Sequence, residues 1–216
     1  MKYSPKTRTI CRLPPSAKNL TRIPKLAAME HDDTKTGVNS MDMTEWERCV
    51  AFHGHECPGL AIGIKVCQAA QKHLGIGFSA DEQVVCVTEN DACCVDGIQF
   101  IAGCSVGKGN LIFRNRGKMA FTFFRRDTGQ GARFVLKSSV SRGDMERPAY
   151  QRALLEIDPD ELFDVKEPPF ALPETARLFP GVICEQCGET TAEPMIRLKE
   201  GRRLCLDCCE GYTRGW

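Results

Sequence analysis

The spacing of hydrophobic and polar positions changes along the chain, and the changes divide it. Residues 1 to about 40 hold no period. Pro5, Pro14, Pro15 and Pro24 interrupt any pattern, and Lys2, Lys6, Arg8, Arg12, Lys18, Arg22 and Lys25 precede the polar run His31-Asp-Asp-Thr-Lys-Thr-Gly. This reads as a disordered basic arm, either a solvated extension or a tail for a partner. Helical spacing starts at Thr44-Glu-Trp-Glu-Arg-Cys-Val-Ala-Phe, with Asp42 or Thr44 as the cap. A second helix follows Pro58, a residue suited to a helix's first position. Leu60, Ala61, Ile64, Cys67, Gln68 and Gln71 carry its period, and Gly75 stops it. Cys57 therefore sits at a helix N-terminus.

Val84 to Thr88 is an apolar strand candidate, and Ala92 to about Ala102 reads as a helix that Asp91 could cap and Gly103 ends. Leu111 to Phe113, Met119 to Arg125 and Ala132 to Ser138 read as strands, with turns at Asn115-Arg-Gly and Asp127-Thr-Gly. Glu146 to Ile157 and Pro159 to Phe163 read as helical, and Phe163-Asp-Val-Lys-Glu-Pro-Pro as an extended exit. Helices and short strands mix without regular βαβ alternation, so the expected class is α+β, a core of helices and antiparallel strands. The division predicted is an arm over 1–40, a core over 41–170, a proline-rich linker over 171–181 and a small module over 182–216.

Composition narrows this only in part. Hydrophobic residues are 42% and charged residues 26% of 216, enough for a real core, and the formal net charge of +1 gives no general case for nucleic acid. No run approaches the ~18 apolar residues of a membrane span. The opening residues lack the apolar stretch of a secretory signal, so a cytoplasmic place without membrane attachment is expected. The thirteen cysteines matter more. Their odd number and the CxxC pairs argue against a secreted disulfide framework and for metal ligands, reactive thiols or small core residues.

Cys184-Glu-Gln-Cys187 and Cys205-Leu-Asp-Cys208 are two CxxC pairs joined by a segment that reads as a hairpin around Glu200-Gly201. Each pair makes a knuckle that aims two sulfurs at one ion, which predicts a structural four-cysteine zinc site with no open position. A short helix from Leu206 to about Tyr212 would complete a treble-clef-like zinc finger. Cys209 reads as a bystander. A module this small needs the metal for much of its folding energy.

In the core, His53-x-His55-x-Cys57-Pro58-Gly59 places two imidazoles and a thiol within five residues. Both types ligate soft and borderline metals. Alternatively Cys57, favoured as thiolate by the helix N-terminus, is a nucleophile with a histidine as its base. A packed turn without chemistry is the third possibility. Further along, Cys93 and Cys94 open the next helix and Cys104 follows it. Gly107, Lys108 and Gly109 form a loop that lacks the P-loop pattern but could cradle an anion or cofactor group with backbone N–H groups.

Three blocks, His53-Gly-His-Glu-Cys-Pro-Gly-Leu-Ala-Ile-Gly, Glu89-Asn-Asp-Ala-Cys-Cys-Val-Asp-Gly-Ile-Gln and Gly103-Cys-Ser-Val-Gly-Lys-Gly-Asn-Leu, resemble the E-subunit family of formylmethanofuran dehydrogenase in order and content. The resemblance implies an α+β core, usually dimeric, with an appended treble-clef finger. It also implies a metal or active site here at His55, Cys57, Cys93 and Cys104, with His53 adjacent. Gly97 stands where that family more often has alanine. Asp91 and Asp96 are expected to orient the histidines. The function implied is a metal-binding accessory protein of molybdenum- or tungsten-dependent one-carbon metabolism of the methanogenesis type. A core metal or sulfur ligand and other subunits of the dehydrogenase as partners go with it. The chain has no run of closely spaced iron–sulfur cysteines, so it is not expected to carry the redox step alone. Two other classes remain open: an independent metal- or thiol-dependent enzyme using Cys57 and His55 on a small substrate, and a finger-based binding or regulatory module.

Overall fold

The computed structural model describes residues 44–211. The basic arm lies outside them, as do residues 212–216. The elements among the described residues run α1 (Glu45–His53), α2 (Pro58–Leu74), β1 (Val84–Thr88), α3 (Cys94–Ala102), β2 (Leu111–Phe113), β3 (Ala120–Arg125), β4 (Gly131–Leu136), α4 (Arg147–Glu156), α5 (Pro159–Leu162), β5 (Phe163–Lys166), β6 (Gly181–Ile183), β7 (Thr190–Ala192), a 3₁₀ turn (Glu193–Met195), β8 (Arg197–Lys199) and β9 (Arg202–Leu204). The class is α+β. Among the described residues no helix is long and apolar enough to cross a membrane.

Local chemistry sets the helix ends. Thr44 accepts a hydrogen bond from the Glu47 amide while the Glu47 carboxylate accepts from Thr44 N, a reciprocal cap that starts α1. Gly54 ends that helix at φ 93°, a left-handed conformation that favours glycine. Pro58 opens α2 and Gly75 closes it. Asp91 does not cap α3. The position belongs to Cys93, which makes no side-chain cap bond, and Asn90 Oδ1 instead accepts from Ala92 N and Cys94 Sγ.

The core sheet has the order β2-β1-β3-β4-β5. It is mixed rather than wholly antiparallel: β1 and β2 run parallel, joined through α3, and the other pairs are antiparallel. The stretch expected as an extended exit is β5, an edge strand paired with β4. Side chains alternate between the two faces. Cys86, Phe121, Phe123 and Phe134 pack with α2, α3 and α4 in the main core, in which Leu60, Ile64, Ile98 and Leu154 are buried. Val85, Val87 and Phe124 point the other way and are covered by Phe170 and Leu172. The proline-rich segment thus straps the sheet. Arg126 holds it by donating to the carbonyls of Pro173 and Glu174 while pairing with Glu82.

The finger contains two hairpins, β6–β7 around the first CxxC and β8–β9 between the pairs. The predicted helix after Cys205 is only one turn among the described residues, closed by Cys208 N and Cys209 N donating to Cys205 O. Satisfying the sulfurs there takes a knuckle rather than an extended helix.

Candidate metal centres

The core centre is built by a close helix pair. A Cβ on Gly63 of α2 would lie 2.2 Å from the Cys94 carbonyl oxygen, and one on Gly97 of α3 would lie 3.0 Å from Gly63 Cα. A Cβ on Gly59 would meet Cys93 Cβ at 3.0 Å and Cys57 Sγ at 3.8 Å. Matching 59 to 93 and 63 to 97 means that the two helices run in the same direction with their N-termini together. Cys57 and Cys93, the N-cap residues of α2 and α3, therefore meet where two sets of helix amides converge. Leu60 N donates to Cys57 Sγ at 3.3 Å.

The end of α1 brings the imidazoles. His53 and His55 lie with ring centroids 4.3 Å apart. His53 Nδ1 bonds Asp96 Oδ2 at 2.7 Å, and its Nε2 lies 3.8 Å from Cys57 Sγ. Gln99 Nε2 donates to the other oxygen of Asp96. One donor atom from each of His53, His55, Cys57 and Cys93 falls within 4.8 Å of the other three. Tetrahedral zinc with sulfur and nitrogen ligands has ligand–ligand edges of about 3.3–3.8 Å, so this N2S2 set fits a metal with small side-chain movements. Burial and hydrogen bonding with Cys57 push the Cys93 thiol up. A cavity of about 320 Å³ opens beside the set, lined by His53, Asp91, Cys93, Asp96 and Phe113 among others.

Cys104 stands apart from this group. It is buried, its Sγ donates to Val84 O at 3.6 Å, and burial pushes its pKa up to about 12. It neighbours Cys67 and Cys86, whose thiols burial likewise raises, so these three behave as small core residues. Lys108 is also committed to structure: its Nζ donates to Ser79 O at 2.6 Å and to Ala80 O. A Cβ on Gly109 would meet Ala176 Cβ at 2.5 Å, so that loop lies against the strap. Gly107 has open space around it. Sequence reasoning passed over Gly59, Gly63 and Gly97 as determinants of the centre, although small residues four apart on a helix are a recognisable signal for close helix approach.

In the finger, one sulfur each of Cys184, Cys187, Cys205 and Cys208 falls within the same 4.8 Å limit. Backbone N–H groups of Cys187, Cys205 and Gln186 bring the Cys184 thiol down to about 6, which favours the thiolate a metal requires. Hydrogen bonding with Cys205 first, then burial, pushes Cys208 up to about 12. A cation at the centre resolves that conflict, because it stabilises all four thiolates at once.

Residues 52–164 match the family described as FmdE, molybdenum formylmethanofuran dehydrogenase operon, and this is more than half of the chain. The chain belongs to the FmdE family. Residues 178–214 match the prokaryotic dksA/traR C4-type zinc finger, which fits the four-cysteine set and supports zinc binding there. This FmdE-family chain is 30% identical over 196 residues to a probable S-adenosyl-L-methionine-binding protein of Archaeoglobus fulgidus. The alignment covers 76% of this chain and 52% of that relative, so the chain spans about half the relative's length. A crystal structure of an FmdE-like protein of tungsten formylmethanofuran dehydrogenase type from Syntrophus aciditrophicus has the same fold. Its TM-score is 0.55 at 23% identity, covering 81% of this chain and 96% of that one.

Proposed function

We propose that this FmdE-family protein is a two-metal accessory protein, with structural zinc in the finger and a second metal held in the core by His53, His55, Cys57 and Cys93. The convergence of those four donors carries the reading, and the Asp96 bond to His53 Nδ1 supports it. A carboxylate on one ring nitrogen leaves the other nitrogen as the free donor and fixes the ring's direction. A bound metal would act there as a Lewis acid or redox ion. The chain's own contribution is to gather two thiols at two helix N-termini and hold the imidazoles against them. The family's description motivates a place in molybdenum- or tungsten-dependent one-carbon metabolism, with dehydrogenase subunits as partners. A homodimer belongs to the same proposal, and light scattering should give twice the 24.0 kDa chain mass.

A second reading has its own observation. Asp96, His53 and Cys57 stand in line, carboxylate to imidazole at 2.7 Å and imidazole to thiol at 3.8 Å. That is the order of a thiol nucleophile with its base and the base's orienter, with His53 rather than His55 facing the sulfur. Cobalt loading separates the two. In a full-length Cys184→Ser/Cys187→Ser protein, thiolate-to-cobalt absorption should persist and should vanish when Cys57→Ser is added. A protein without those bands, whose Cys57 reacts rapidly with a thiol reagent, would favour the nucleophile.

A further inference from the structure

The sheet's strapped face carries a second concentration of polar groups, away from the helices that build the core centre. A cavity of about 440 Å³ there is lined by Arg114, Arg116, Lys118, Arg133 and Lys166 against only two carboxylates, Glu89 and Glu167, with Phe170 as its apolar wall. The chain as a whole is nearly neutral, at +1. Five cations in one concavity therefore cost self-repulsion that the fold does not need.

Part of the set is structural. Arg133 donates to both oxygens of Glu89, at 2.6 and 3.0 Å, and both side chains are largely buried. This pair forms the floor. Arg114, Arg116, Lys118 and Lys166 make no ion pair among the described residues. Arg114 stacks over the Phe170 ring at 4.6 Å, which sets its plane and leaves its N–H edge available.

The turn that bears three of them is held in place. Arg114 N donates to Thr88 O at 2.8 Å, and Arg116 N and Lys118 N both donate to Glu89 O, at 2.8 and 3.2 Å. Asn90 Nδ2 donates to Lys118 O, and Gly117 takes φ 66° to close the turn. The cations thus project from a backbone fixed to the carboxyl end of β1, beside the end of the parallel strand β2. Loops past the carboxyl ends of parallel strands are where α/β sheets characteristically bind ligands.

We propose that this cavity is a binding site for a small phosphate-bearing ligand, its dianionic head held by Arg114, Arg116, Lys118 and Lys166. Guanidinium forks and ammonium groups around one concavity match the several oxygens of a phosphate, whereas a monocarboxylate needs a single fork. The anion-binding role expected of Lys108 moves to this side of the sheet. The site is independent of any metal in the core.

Calorimetric titration of the full chain at low ionic strength, with inorganic phosphate and with pyrophosphate as probes, tests it. Phosphate should bind with saturation, pyrophosphate more tightly, and acetate not measurably. Arg114→Gln/Lys118→Gln should weaken phosphate at least tenfold with unchanged circular dichroism, while Arg152→Gln, a charge removed elsewhere, should leave it unchanged. Three results would overturn the proposal: no saturable phosphate binding, equal losses in the two variants, or binding of a single-stranded oligonucleotide with none of free phosphate.

Discussion

Gly63 is where a single atom decides the geometry of the core centre. A methyl group there would have to stand 2.2 Å from a backbone oxygen that cannot swing away, so α2 and α3 would separate and Cys57 would leave Cys93. Gly63→Ala should cost about 2–3 kcal/mol in denaturant titration, whereas Gly107→Ala, in open space, should stay within about 0.5 kcal/mol of wild type. Thr122 gives the opposite sign. Its hydroxyl is buried with no partner among the described residues, so Thr122→Val should stabilise the protein by about 1 kcal/mol in the same titration. Glu89 is sensitive to pH. Arg133 holds its carboxyl below the ordinary value of 4.5, so the stability it contributes is complete above about pH 4.5 and lost as pH falls through the lower folded value. Glu89→Gln should cost about 3 kcal/mol at neutral pH, and the gap to wild type should close on acidification below about pH 4.5.

At the scale of elements, what the chain reveals locally was legible and what depends on partners was not. The starts of α1 and α2 follow from Thr44 and Pro58, and their ends from Gly54 and Gly75, all short-range chemistry. β5 reads as an exit segment because its burial is slight, and only pairing with β4 makes it a strand. The parallel pairing of β1 with β2 is equally invisible, since it depends on α3 folding back over the sheet. In the core centre, His53, His55, Cys57 and Cys93 come together, and their spacing plus the resemblance had pointed to them. Cys104 belonged to the same expectation but faces the Val84 carbonyl inside the core, a placement set by packing rather than spacing. The finger stands on metal more than on burial, since its buried apolar cluster is little beyond Cys184, Leu204 and Cys205. A strong chelator should therefore abolish the amide protection of β6–β9 in hydrogen exchange while β1, β3 and α2 stay protected. Uniform loss across the whole chain would contradict that.

For the molecule as a whole, net charge conceals the basic concavity, because its cations come from positions 114–118, 133 and 166 and meet only when the sheet forms. The same sheet separates two chemistries. One face carries the helices whose N-termini gather the thiols and imidazoles, and the other carries the cations beneath the strap. The proposed function rests on the molecule holding two metals, and elemental mass spectrometry of the full-length protein asks that question without an assay. Two metal ions per chain are expected, falling to one in Cys57→Ser/Cys93→Ser and to one in Cys184→Ser/Cys187→Ser. A wild-type protein with a single ion, which only the finger substitutions remove, would show the core centre to be empty of metal and the proposal wrong.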